Sequence, residues 1–266
     1  MEGKMYGLSG PDLPRSRITF RSSHGFAEAI DFRYLERARE PVSRSKAGVQ
    51  GKVADVFSGR SRHAESQNEL RAFQVLMATG RTNDWQEQPF HLDYHLNGAR
   101  HRYTPDILVA WGLHREVVEI KDDAEADLPL NQERFRLIRE LLAEHSYHFR
   151  VWRRSEIHAE PRFSNVGVIL RYRCAQVARI EREKIRRAFA STSRYPLRTL
   201  CELHEIPIQS VLRTVLDGTL HVNWWEPVTL DSEVSCTPTG PQVWPSPQQG
   251  AQPSNCAGSG HVALRI

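Results

Sequence analysis

Paired cysteines and long apolar runs are what this sequence lacks. Its 266 residues include four cysteines, Cys174, Cys201, Cys236 and Cys256, widely spaced and without a C-x-x-C pair. That is too few for a disulfide scaffold, so reduced thiols in a cytoplasmic protein are expected. No apolar stretch approaches the roughly 20 residues of a membrane helix, and the first thirty residues carry no apolar signal core, so no membrane association is expected. A strong excess of one charge is missing too: 36 Lys and Arg stand against 32 Asp and Glu, a net charge of +4. Such a balance permits a nucleic-acid partner without requiring one, and the clustering of cations matters more than their sum.

What is present centres on Tyr103-Thr104-Pro105-Asp106-Ile107-Leu108-Val109-Ala110-Trp111 and, after a short polar break, Glu116-Val117-Val118-Glu119-Ile120-Lys121. Both read as strands ending in acids. Glu119 and Lys121 lie two apart and share a face, while Val118 and Ile120 turn into a core. Pro105 restrains the backbone before Asp106, and antiparallel pairing would set the Asp106 carboxylate beside Glu119. Two adjacent carboxylates call for a cation, and hard oxygen ligands suit Mg²⁺ or Mn²⁺. Lys121 would position or deprotonate water.

The surrounding pattern predicts a mixed sheet flanked by helices. A helix begins near Glu65, with Ser66 as its cap and Glu69 at capping-box spacing, and ends at Thr79-Gly80. Glu69 is therefore either a cap residue or a third metal ligand. Trp85 to Pro89, its Gln88-Pro89 pair either orienting a ligand or simply starting a strand, leads into a strand at Phe90 to Leu96, which with the Asn97-Gly98 hairpin, Arg100 to Trp111 and Arg115 to Lys121 forms a meander. A helix from about Leu130 to His145 crosses over to a strand at Tyr147 to Trp152, which should run parallel to the strand ending in Lys121. Acids from Asp122 to Asp127 form a polar loop. The run Arg60-Ser61-Arg62-His63 is either a solvated approach to the first helix or a DNA-backbone contact. The dense arginines between Arg150 and Arg187 are either a solvated face or a phosphate path.

The domain expectation is a partly irregular segment over 1–59, a nuclease-like domain over 60–178, a small module over 179–230 and a disordered Pro/Ser/Gly/Gln-rich tail over 231–266. In the module, short helices at Leu197 to His204 and Ile208 to Leu216 precede a strand at Thr219 to Trp225, a winged-helix-like order. Its second helix has only Arg213 as a cation, which favours protein contact.

In this order, Glu65-Ser66-x-x-Glu69, Gln88-Pro89, Thr104-Pro105-Asp106 and Glu119-Ile120-Lys121 resemble the restriction-endonuclease-like PD-(D/E)XK nuclease fold. With the helical module and Leu216-Asp217-Gly218-Thr219-Leu220, they resemble more narrowly the TnsA-like endonuclease subunit of heteromeric bacterial transposases. The resemblance spans roughly residues 45–230. It implies an α/β nuclease core with a winged-helix-like C-terminal module, Mg²⁺ or Mn²⁺ as cofactor, and hydrolysis of the 5′ strand at transposon ends. The implied partners are double-stranded DNA, an integrase-like transposase subunit that cuts the 3′ strand, and a AAA+ ATPase regulator. The implied site is Glu69 as the helix carboxylate with Glu65 as the alternative, Asp106 and Glu119 as metal ligands, the Ile120 backbone carbonyl as a further ligand, and Lys121 as the residue that orients water or stabilises the transition state. Some members of that family carry glutamine where this chain has Glu119. A stand-alone restriction or repair nuclease of the same fold and a non-catalytic DNA-binding adaptor are the competing readings.

Overall fold

A computed structural model of the chain describes residues 16–22, 32–33, 35–39, 51–79 and 84–244. The described chain opens with β1 (Ser16–Ser22) and β2 (Leu35–Glu36), followed by the hairpin of β3 (Gly51–Asp55) and β4 (Arg60–Ala64) and by α1 (Gln67–Ala78). Next come β5 (Asp84–Glu87), β6 (Phe90–Leu96), β7 (Ala99–Tyr103), β8 (Ile107–Trp111) and β9 (His114–Lys121). A short α2 (Asp123–Ala126) and the longer α3 (Pro129–Ala143) lead to β10 (His148–Arg153), α4 (Arg154–Ile157) and α5 (Arg162–Leu170). The chain continues with α6 (Arg179–Ala188), β11 (Arg194–Pro196), α7 (Leu197–Glu202), α8 (Ile208–Leu216), β12 (His221–Val222) and β13 (Glu233–Ser235).

Four strands in the order β10-β9-β8-β5 make the central sheet, with β5, β8 and β9 antiparallel and β10 parallel to β9 across the α3 crossover. Its two faces are apolar because the strands alternate within a buried sheet. Ile107, Val109, Val118, Ile120 and Trp152 join Phe73, Val75 and Leu76 of α1 in one cluster. Leu108, Ala110, Val117 and Phe149 join Phe135, Ile138, Leu141 and Leu142 of α3 in the other. The apolar stripe of each helix therefore does what its spacing promised.

The meander is built differently from its expectation. The strand expected over Phe90 to Leu96 is present as β6, but the residues leading into it form β5, Arg100 to Trp111 is broken into β7 and β8, and the pieces lie in two sheets: β6 and β7 belong to a separate sheet, β2-β1-β6-β7, while β5 and β8 belong to the central one. Both interruptions fall at prolines, Pro89 and Pro105, which cannot donate to a ladder. Gln88 turns the first with a φ of +43°, and its amide N donates to the Asp106 carbonyl at 2.9 Å, bridging the two breaks. The long hairpin is thus folded at its waist, and Asn97 and Gly98 close its tip with φ of +51° and +75°.

The N-terminal segment, expected to be poorly regular, supplies β1 to the inside of the outer sheet, where Phe20 pairs with Phe90 across the strands. The basic run Arg60-Ser61-Arg62-His63 is β4, and its arginines turn inward. Arg62 is 3% exposed and donates to Asp55 Oδ2 at 3.1 Å and Glu87 Oε2 at 3.0 Å, with its guanidinium 4.2 Å from the Trp85 ring. Arg60 bonds Gln86 Oε1 and the carbonyls of Arg33 and Leu35. The run is a strand whose two arginines are engaged within the protein, not a solvated approach to the helix. The acids after Lys121 likewise make a short helix whose Asp123 accepts from Ser155 and whose neighbour Asp127 pairs with Arg153.

The expectation of a disordered tail from residue 231 fails for residues 231–244. Val234, Val243 and Trp244 are buried, β13 pairs with both β11 and β12, and Trp244 packs edge-on against Trp152 with ring centroids 4.3 Å apart. Three apolar anchors outweigh a polar composition. Residues 245–266 lie outside the described residues. The same cluster runs unbroken from Ala64 through α7 and α8 to Trp244, so the module shares a core with the sheet. Arg162, 1% exposed, sits inside it beneath Trp152 and Trp225 and donates to the carbonyls of Ile157 and Val243. Burial lowers its pKa to about 10, so the guanidinium remains charged at neutral pH.

Two stability outcomes are expected. Arg62→Met strands two buried carboxylates and should cost about 3–5 kcal/mol in urea or guanidinium unfolding. Trp244→Ala should cost about 3–5 kcal/mol by the same measurement, whereas a free tail would leave the midpoint unchanged.

Candidate active site

The site forms where β8 begins and β9 ends. Ile107 pairs with Val118, and one step along that antiparallel register sets Asp106 opposite Glu119. Asp106 Oδ2 accepts from the Ile120 amide at 2.7 Å, which fixes the carboxylate against β9. Glu119 and Lys121 share a face, as alternation requires, and their side chains pair at 3.0 Å. Glu119 is buried, and its Oε2 accepts from the Tyr103 hydroxyl at 2.6 Å.

Electrostatics at this edge is dominated by burial and like charge. Burial, then Glu119 and Glu69, push the Asp106 carboxyl well above the usual carboxylate range, against the Ile120 amide and Lys121. Burial followed by Glu119 holds the Tyr103 hydroxyl well above its ordinary value, so it stays a neutral donor. Burial works against the Lys121 ammonium, but Glu119 and Asp106 outweigh it and raise its pKa. Lys121 is accordingly a cation held against an acid, with its side chain one-quarter exposed.

Glu69 stands at the head of α1. Ser66 is the N-cap, its hydroxyl accepting from the Glu69 amide and donating back to Glu69 Oε1 at 2.9 Å, while the Glu65 amide donates to Oε2 at 2.9 Å. The capping expectation holds, and both Glu69 oxygens take part in it. Burial chiefly raises its pKa, and its charge is felt at Asp106. Glu65 faces elsewhere: its carboxylate takes two 2.8 Å bonds from Arg39 and one of 2.9 Å from Gln88 Nε2. Asp106, Glu119 and Lys121 are therefore brought together, Glu69 borders them through the cap, and Glu65 is drawn into an ion pair.

Among the described residues no group of three His, Cys, Asp or Glu side chains is placed to surround a metal ion. The donors present still suit one. Asp106 has one oxygen on a backbone amide, Glu119 lies opposite, and the raised Asp106 pKa marks an excess of negative charge that a divalent cation would offset. Tyr103 and Arg39 are contributors that sequence reading missed, and Gln88, singled out there only with Pro89, is a third. Tyr103 carried a signal, lying directly before the Thr-Pro-Asp turn; Arg39 carried none, because it reaches Glu65 from 26 residues away.

A mixed α/β architecture with an acid at one strand end and an acid-x-lysine at the next is compatible with a nuclease fold. Residues 80–153 match the family model described as TnsA-like endonuclease N terminal. The matched segment runs from β5 to β10 and contains Asp106, Glu119 and Lys121; Glu65 and Glu69 precede it. No curated protein matches the chain.

Glu69→Ala, which removes the capping acceptor, should cost about 0.5–2 kcal/mol, while Glu69→Gln should keep most of that stability. Thermal melting of both variants checks the capping role, and equal losses would overturn it.

Proposed function

We propose that this chain is a divalent-metal-dependent DNA endonuclease subunit of a cut-and-paste transposition system, hydrolysing the 5′ strand at transposon ends alongside a separate transposase. The observation that carries the reading is the meeting of Asp106, Glu119 and Lys121 at one sheet edge, inside the segment that matches the TnsA-like family.

In this reading Asp106, Glu119 and the Ile120 carbonyl hold Mg²⁺ or Mn²⁺, with Glu69 in reach from the α1 cap in preference to Glu65. Such an ion, when bound there, would supply Lewis-acid polarisation of a phosphoryl oxygen and a lowered water pKa. The chain's own groups do the rest. The Ile120 amide orients Asp106, and the neutral Tyr103 hydroxyl fixes one Glu119 oxygen. Lys121, already protonated, donates hydrogen bonds to water or to the developing charge on phosphate and does not act as a base. Burial of the two strand acids keeps competing water away.

The domain reading follows the same lines: a nuclease domain over 60–178 and a winged-helix-like module over 179–230, extended by β13 to residue 235. The order α6, β11, α7, α8, β12, β13 supports it, as does the three-stranded sheet β11-β13-β12. In such a module α8 would be the groove-reading helix. Here it is largely buried, and its Arg213 bonds the Arg173 carbonyl, Asp217 and the face of Phe57. That commitment favours a protein partner, such as a AAA+ ATPase regulator, over base readout by this helix.

Asp106→Asn relieves the crowding of like charge and should melt no lower than the parent chain, yet lose more than about 100-fold of 5′-strand cleavage with Mg²⁺ or Mn²⁺ and the transposase present. Lys121→Ala should lose cleavage while retaining duplex binding. Gel analysis of a 5′-labelled transposon-end duplex checks both. Undiminished nicking by the Asp106 variant overturns the assignment, and robust cutting by the parent chain alone would instead mark a stand-alone nuclease.

A further inference from the structure

The outer sheet has one face with no role in the site. Its inner side chains, Phe90, Leu92, Tyr94 and Tyr103, are buried against α3, so alternation turns the intervening residues outward. Register then assembles them into cross-strand rows: Arg17 opposite Asp93, Asp93 opposite Arg102, and His95 opposite Arg100. Arg100 and Arg102 are 64% and 54% exposed and converge on the single Asp93 carboxylate, Arg102 Nε at 2.8 Å and Arg100 Nη2 at 3.4 Å. Two guanidinium groups thus share one acid, with exposed Arg17 opposite it in register, and the Arg102 bond holds Asp93 ionised by lowering its pKa. The row keeps a net positive charge.

Position gives that charge a meaning. Arg102 precedes Asp106 by four residues of one chain path, so its backbone lies within roughly 14 Å of the catalytic strand end. That limit corresponds to at most about four base-pair steps at about 3.4 Å each. The Gln88–Asp106 bond locks the bend between them, so the distance from the row to the site is fixed. Among the described residues, β6 and β7 continue beyond the row as a two-stranded ribbon of a size that the major groove of a duplex admits.

We propose that the outer face of β1, β6 and β7 is a phosphate-backbone clamp for duplex DNA, in which Arg17, Arg100 and Arg102 grip the backbone beside the cut. Guanidinium forks match phosphate oxygens, and Asp93 holds the arginines spread and in register until phosphate replaces it. The charge complementarity and the direct continuity with Asp106 favour a nucleic-acid strand over an acidic protein surface. The inference rests on the nuclease reading above.

The test uses the full chain carrying Asp106→Ala, so that nothing is cut, with a fluorescent mixed-sequence duplex titrated between 50 and 200 mM salt. Adding Arg100→Ala and Arg102→Ala should weaken binding about tenfold at low salt and reduce the steepness of the salt dependence by about one to two phosphates. Adding Asp93→Asn instead should tighten binding and steepen that dependence, a gain that misfolding does not produce. If the parent binds the duplex and neither change moves affinity or slope, the clamp is overturned and the nuclease reading stands. If the parent binds no duplex at any salt, both fall together.

Discussion

One backbone hydrogen bond sets the geometry on which the rest depends. Gln88 donates its amide to the Asp106 carbonyl across two proline-made gaps, and in doing so bends a long hairpin at its waist. Without the prolines the hairpin would run as one flat ribbon, and its polar face would not both leave the core and return to the sheet edge. The bend lets β5 and β8 enter the central sheet while β6 and β7 leave it, and it places Asp106 at the opening of a strand, where its carboxylate meets the amide of Ile120. A non-glycine residue at positive φ is a cost accepted at the point where the site is made.

The second constraint is electrostatic. Asp106 and Glu119 lie opposite one another in the register of β8 and β9 and near the capped Glu69, an arrangement that burial alone would disfavour. Lys121 and the Tyr103 hydroxyl stabilise it from one side, and the amide of Ile120 from another. Groups held in such tension contribute poorly to stability, the pattern expected of a functional site. Elsewhere the chain compensates with fully enclosed charge: Arg62 against Asp55 and Glu87 at the β3–β4 hairpin, and Arg162 beneath Trp152 and Trp225. Both arginines tie distant segments together, and neither is available to a phosphate.

That division of arginines bears on how the molecule meets its substrate. Sequence density alone directs attention to Arg60-Ser61-Arg62-His63 and to the stretch after Arg150, yet in the former the arginines are turned inward, and in the latter several are spent on Glu116, Asp127 and backbone carbonyls. The cations of the outer sheet look unremarkable in sequence because they come from strands separated by some eighty residues. Register gathers them.

Much was nevertheless determined by the sequence itself. The periods of α1, α3 and α8, the cap at Ser66, the Asn97-Gly98 turn and the parallel return of β10 all follow from local chemistry: side-chain spacing, cap donors and the glycine's conformational freedom act within a few residues. The adjacency of Asp106 with Glu119 and Lys121 was legible for the same reason, since one hairpin connects them. Tertiary structure decided what depends on contacts between distant segments. It split the meander into two sheets, recruited Ser16–Ser22 as an inner strand, buried Arg62, drew Glu65 to Arg39 and Gln88, and anchored residues 231–244 through Val234, Val243 and Trp244. Composition averages over a segment, whereas burial acts on the one or two side chains that find a partner.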